Sequence, residues 1–169
     1  MNGPVRTADR QLLLVPMERE HAEQICRWRY EPLYDFYRWP AWERMEREGI
    51  EFGDPALREA QYRSVLDGRG ELIGFAQLFP MAGVTRLGMG LRPDRCGQGK
   101  GPLLAALLAE EALRRHPEHE IDLEVLAWNT RAIRAYEKAG FAVTDTYVRR
   151  APQGEAEFHC MVYHPPLRR

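Results

Sequence analysis

The sequence predicts a mixed α/β domain, and three observations carry that reading. Strand-length apolar runs recur along the chain, amphipathic helix patterns are set among them, and a glycine-rich loop joins one strand to the strongest helix pattern. The 169 residues fit a single domain, taken as residues 1–169, and suffice for a core without disulfide or metal staples. Hydrophobic residues at 44% and charged residues at 29% exclude a disordered, collagenous or coiled-coil chain.

The elements follow in order. Gln11 to Val15 reads as a strand ended by Pro16, and a helix pattern starts at Glu18, with Ala22, Ile25 and Trp28 at three-residue spacing. Seven aromatics (Trp28, Tyr30, Tyr34, Phe36, Tyr37, Trp39 and Trp42) then crowd together around Pro32 and Pro40, which disfavours a regular element. Turns and short helical pieces fit Arg44 to Ala60. Tyr62 to Leu66 and Glu71 to Phe79 read as paired strands across Asp67-Gly68-Arg69-Gly70, and Val84 to Leu91 as a further strand. After the loop Cys96 to Gly101 comes a helix with Pro102 at its first position and Leu104, Leu107, Leu108 and Ala112 on one face, stopped by Pro117. Ile121 to Leu126 is a strand and Asn129 to Ala139 a helix closed by Gly140. Phe141 to Arg149 and Glu155 to Tyr163 form a final strand pair.

Composition narrows the function. Twenty-four basic against 25 acidic residues leave a net charge of −1, so no overall field attracts nucleic acid or an anionic membrane. Cys26, Cys96 and Cys160 are far apart and form no C-x-x-C pair, as in a reduced intracellular protein. Met1 to Arg10 lacks the apolar core of a signal peptide, and the longest apolar stretch, Pro102 to Ala109, is too short to span a bilayer. A soluble cytoplasmic protein is expected, with a homodimer left open.

The glycine loop is the first sign of chemistry. Exposed N–H groups and the positive dipole end of a helix start cradle anions such as phosphate. The loop is not a Walker A motif, because Asp94 and Gly101 stand where Gly and Ser or Thr are needed. Nor is it a Rossmann fingerprint, since Gly97, Gly99 and Gly101 space as G-x-G-x-G. A second sign lies about thirty residues on, where Asn129, Ala132 and Tyr136 occupy one helical face, the small Ala132 leaving room for a ligand. Asn129 also suits a plain helix cap, and Tyr136 plain packing.

Together these motifs resemble the GNAT superfamily of N-acetyltransferases. The likeness runs from Leu87 to Phe141, with weaker support from Gly70 to Gly74. It comprises the loop [QR]-x-x-G-x-[GA] and, after Leu123 and Val125, the pattern N-x-x-A-x-x-x-Y-x-x-x-G-F. Cys96 departs from the usual Arg or Gln at the loop's first position. The resemblance implies a mostly antiparallel central sheet of six to seven strands flanked by about four helices. It implies acetyl-CoA as acetyl donor, bound by Cys96, Gly97, Gln98, Gly99, Lys100, Gly101, Pro102, Asn129, Ala132 and Tyr136. The backbone of Met89, Gly90 and Leu91 would pair with the pantetheine arm.

Direct transfer to an amine demands a neutral amine, a stabilised oxyanion and a proton for the thiolate. An amine of pKa ~10.4 is neutral about once in 2,500 at pH 7, a cost of about 4.6 kcal/mol. Tyr136 is the expected general acid. Val84 to Leu91 holds no carboxylate, so the base is left among Glu124, His159 and a water chain. The aromatic stretch, represented by Trp28, Tyr34 and Trp39, either covers the core or lines the acceptor site. No metal is expected, because Pro117 interrupts the helix that the spacing of His116 and His119 would require. The acceptor is an unidentified amine, and a non-catalytic acyl-CoA sensor is the rival reading.

Overall fold

The computed structural model describes residues 11–166, so the N-terminal segment Met1 to Arg10 lies outside the described residues. Seven strands form one sheet: β1 (Leu12–Pro16), β2 (Tyr62–Asp67), β3 (Leu72–Met81), β4 (Val84–Leu91), β5 (Glu120–Leu126), β6 (Phe141–Ala151) and β7 (Gly154–Tyr163), in the order β1-β2-β3-β4-β5-β7-β6. The β1–β2, β2–β3, β5–β7 and β6–β7 pairs are antiparallel, whereas β4 and β5 run parallel. The mostly antiparallel α/β architecture is the one the motifs implied.

The helices are α1 (Arg19–Arg27), α2 (Trp42–Glu48), α3 (Pro55–Gln61), α4 (Lys100–Arg115) and α5 (Thr130–Ala139). Two of the five, α2 and α3, are short and fall where short helical pieces were expected around Arg44 to Ala60. Gly49, at φ 62°, ends α2 in the left-handed conformation, while Asp54 caps α3 by accepting from the Ala56 N–H at 2.9 Å.

By internal packing the chain divides into two compact units, Met1–Gln77 with Met89–Cys96 and Leu78–Gly88 with Gly97–Arg169. In the first, Ala22 and Ile25 of α1, Met45 of α2, Phe52 and Tyr62 are buried together. Two glycines set how closely its strands approach. A Cβ on Gly74 would lie 2.8 Å from the Gly90 carbonyl oxygen, and one on Gly90 would lie 2.4 Å from the ring of Phe75. Phe75 is itself wedged, with Trp28 at 6.4 Å and Trp39 at 5.8 Å between ring centroids.

In the second unit, α4 buries Leu104, Ala105, Leu108, Ala109 and Ala112, a stripe of one helical face. It packs closely on α5 because both contacts are small: a Cβ at Gly101 would stand 3.2 Å from that of Ala135. The β4–β5 ladder runs from Val84↔Glu120 to Leu87↔Leu123, although the two strands extend to Leu91 and Leu126.

The wedge gives a direct test. Gly90→Ala drives a methyl into a ring that cannot retreat, at a cost of about 1–3 kcal/mol. The melting temperature should fall by roughly 3–10 °C. A second substitution, Phe75→Leu, should recover part of that loss in a double-mutant cycle. Additive losses would show that Gly90 and Phe75 do not press on each other.

Candidate active site

The second unit supplies an anion cradle. Gly97 and Gly99 have φ 75° and 76°, and Cβ atoms at either would meet nothing within 4 Å. The loop therefore presents backbone to open space in a conformation glycine adopts without strain. Helix α4 begins at Lys100, so Pro102 is its third residue rather than its first, and lacks one of the N–H groups that a helix start leaves unpaired. Lys100 is only 9% exposed and lies at the start of α4, the positive end of the helix dipole. These residues fit a pyrophosphate group.

Asn129 is buried and caps α5, its side-chain oxygen accepting the Ala132 N–H at 3.2 Å. Tyr136 lies seven residues on, half-buried, its ring edge-on to Phe141 at 6.2 Å. Cys96 precedes the helix by four residues and points its thiol at the carbonyls of Arg92 (3.6 Å) and Leu91 (3.9 Å).

The first unit gathers aromatic side chains around the end of β4. Phe75 presses on Gly90, Trp28 and Trp39 flank Phe75, and the Tyr30 hydroxyl donates to the Leu91 carbonyl at 2.8 Å. Trp28 and Trp39 also pack on the buried core, and the Trp39 indole N–H is buried without an acceptor among the described residues. Tyr34 lies on a short 3-10 turn, half-buried. The aromatic stretch thus both packs and borders Met89 to Leu91.

The two side-chain candidates for base are separated by the pleat. Glu124 pairs with Cys160 and Val125 with His159, so the carboxylate and the imidazole project from opposite faces of the sheet. His159 shares a hydrogen bond with Thr146, 2.7 Å away. Glu124 belongs to a network that sequence reasoning missed. Arg86 grips Asp122 with two bonds of 3.0 and 2.9 Å and reaches Glu124 at 3.2 Å. Arg149 donates to Glu124 at 3.1 Å while stacking on Phe158, and the Tyr147 hydroxyl donates to the same carboxylate oxygen. Burial and the Glu124 hydrogen bond push the Tyr147 phenol above its ordinary range, so it stays protonated and remains a donor. Burial, then Asp122, likewise raises the Cys160 thiol. Two arginines thus balance two carboxylates. The signal was present as alternation: Asp122 and Glu124 share a face, and the parallel register sets Arg86 opposite Asp122.

A profile of the GNAT acetyltransferase domain matches residues 11–142. The chain belongs to this family, as its loop and helix motifs implied. Among solved structures, it is similar to spermidine N-acetyltransferase from Vibrio cholerae in complex with coenzyme A and spermine, at 20% identity and TM-score 0.72 over 90% of this chain and 94% of that one. A chimera of the Vibrio cholerae enzyme SpeG and hSSAT gives 21% identity and TM-score 0.73, covering 90% and 95% of the two chains. The enzyme AAC(6')-Ib in complex with ribostamycin and coenzyme A gives 23% and 0.66, covering 89% and 92%. A comparison with curated proteins finds no match.

Removing Arg86 tests the network. Asp122 is 5% exposed, and Arg86→Met leaves it without its cationic partner, which should destabilise the protein by about 3 kcal/mol. Thermal melts should fall by about 6–12 °C. Arg86→Lys, which keeps the charge but not the planar fork, should recover part of the loss. A wild-type melting temperature in Arg86→Met would mean that Asp122 is solvated rather than held.

Proposed function

We propose that the protein is an acetyl-CoA:amine N-acetyltransferase, acting in the cytoplasm by direct transfer to a primary amine of a small molecule or protein. The observation that carries this is the left-handed glycine loop opening onto the start of α4, followed by the α5 face bearing Asn129, Ala132 and Tyr136. Similar structures bind coenzyme A together with spermine or ribostamycin, both amines, which supports the same class of reaction here.

When bound, acetyl-CoA supplies an activated acyl carbon and a thiolate leaving group. Cys96 to Gly101 would hold its pyrophosphate through backbone N–H groups and the α4 dipole, with Pro102 lining the same helix start. Asn129 spends its side-chain oxygen on the cap and so fixes the start of α5. Ala132 keeps the α5 face low. The backbone of Met89 to Leu91 pairs with the pantetheine arm, and an N–H there receives the developing oxyanion. Tyr136 donates its phenolic proton to the sulfur as the thiolate departs. Glu124 acts on the acceptor ammonium, as proton acceptor or as counter-charge, with Tyr147 and the two arginines fixing its orientation. Trp28, Tyr34 and Trp39 set the apolar, drying wall that lowers the cost of a neutral amine.

The test is release of free thiol from acetyl-CoA against a panel of amines. Thiol release that depends on a particular amine supports the transferase; coenzyme A binding with no release across the panel would leave an acyl-CoA sensor. Within the transferase, Tyr136→Phe should lower kcat by about 10²–10⁴-fold with little change in coenzyme affinity. Unchanged turnover would reduce Tyr136 to packing. Tyr34→Ala, outside the buried core, should raise the acceptor KM while melting temperature holds; an unaltered KM would remove that residue from the acceptor site.

A further inference from the structure

The turn between α4 and β5 holds a side-chain cluster that acetyl transfer does not use. The sequence places His116, Pro117, Glu118 and His119 directly after the last residue of α4. Pro117 does end the helix, yet the chain then closes a tight turn, with the His119 N–H donating to the His116 carbonyl at 3.0 Å. A helix would bring residues three apart onto one face; here the turn does so instead. Glu118 lies 3.8 Å from the His116 Nδ1 and 3.7 Å from the His119 Nε2, and the three ligand atoms fall within 4.8 Å of one another.

From this we infer a site for a borderline transition-metal dication, of which Zn²⁺ is the representative. Two imidazoles and one carboxylate are a donor set suited to zinc, copper or nickel rather than to magnesium or calcium. Ligands about 2.1 Å from a tetrahedral ion stand roughly 3.4 Å apart, so both carboxylate–imidazole separations need only a small contraction.

The second observation is orientation. The buried Thr85 hydroxyl lies 2.9 Å from the His119 Nδ1. With Nδ1–H donating to Thr85, Nε2 carries the lone pair and faces Glu118, the outer support that metal-ligating histidines usually have. The two rings now stack at 4.4 Å and 10°. His119, only 11% exposed in its side chain, is the fixed ligand; His116, 40% exposed, turns about its broad χ2 to bring Nδ1 onto the ion. Three protein ligands leave a fourth position to water. The bound ion would tie the end of α4 to the start of β5 and, through Thr85, to β4. It is a staple on the scaffold behind the glycine loop and stands independently of the acetyl-transfer reading.

The experiment is calorimetric titration of the full, chelator-stripped chain with zinc chloride at neutral pH, in a Cys96→Ser background so that the half-exposed thiol cannot contribute. We expect one zinc per chain, with affinity reduced at least tenfold in His116→Ala and in His119→Ala. Thr85→Val, which removes no ligand, should weaken binding by about 10–100-fold. Saturating zinc should raise the melting temperature of the parent by several degrees and leave that of His116→Ala unchanged. The exposed His116 variant keeps the test sound if His119→Ala fails to fold. Absence of binding at submillimolar zinc, or equal affinity in His116→Ala, would overturn the assignment.

Discussion

The close approach of Gly74, Gly90 and Phe75 is the constraint on which the first unit depends. With no Cβ at Gly90, the Phe75 ring occupies that volume, and Trp28 and Trp39 pack edge-on or tilted against the same ring. The backbone proposed to meet the thioester is therefore backed by a stack of aromatic groups rather than by solvent. Such backing removes freedom from Met89 to Leu91 before any ligand arrives, and a donor already in place needs no reorganisation as charge develops. Gly90 of β4 serves packing: the volume its missing side chain leaves is filled by the Phe75 ring.

Electrostatics in the second unit follows a different logic. Asp122 and Glu124 would repel each other across one face of β5, and Arg86 joins them while Arg149 and Tyr147 complete the coordination of Glu124. Each buried acceptor gains donors, which is the condition for keeping carboxylates under a sheet face. In the proposed reaction this fixes where the Glu124 charge sits.

Much of this was legible in the chain. Strand and helix order came through because apolar periodicity and glycine or proline punctuation agree along most of it: Gly140 closes α5 in the left-handed conformation at φ 107°, as its position predicts. The family motifs were legible because their spacing reflects helix geometry around a phosphate. The rest depended on tertiary partners. Short helical pieces were legible around Arg44 to Ala60, but the bounds of α2 and α3 were not, because the aromatic and proline-rich neighbourhood masks periodicity. The roles of Arg86 and Tyr147 depend on strand neighbours distant in sequence, Arg86 lying opposite Asp122 and Tyr147 reaching Glu124 across β7. The spacing of His116 and His119 reads as a helix spacing, and Pro117 hides that the chain closes a turn there instead.

The central claim is that Gly97 to Pro102 and the α5 face hold coenzyme A. Its most direct measurement is calorimetric titration of the protein with coenzyme A, repeated on Gly99→Glu, which sets a carboxylate against the pyrophosphate position. The account predicts one coenzyme A per chain for the natural sequence and at least a tenfold loss of affinity in a variant that stays folded. No binding to the natural sequence at millimolar coenzyme A, or equal affinity in the variant, would contradict it.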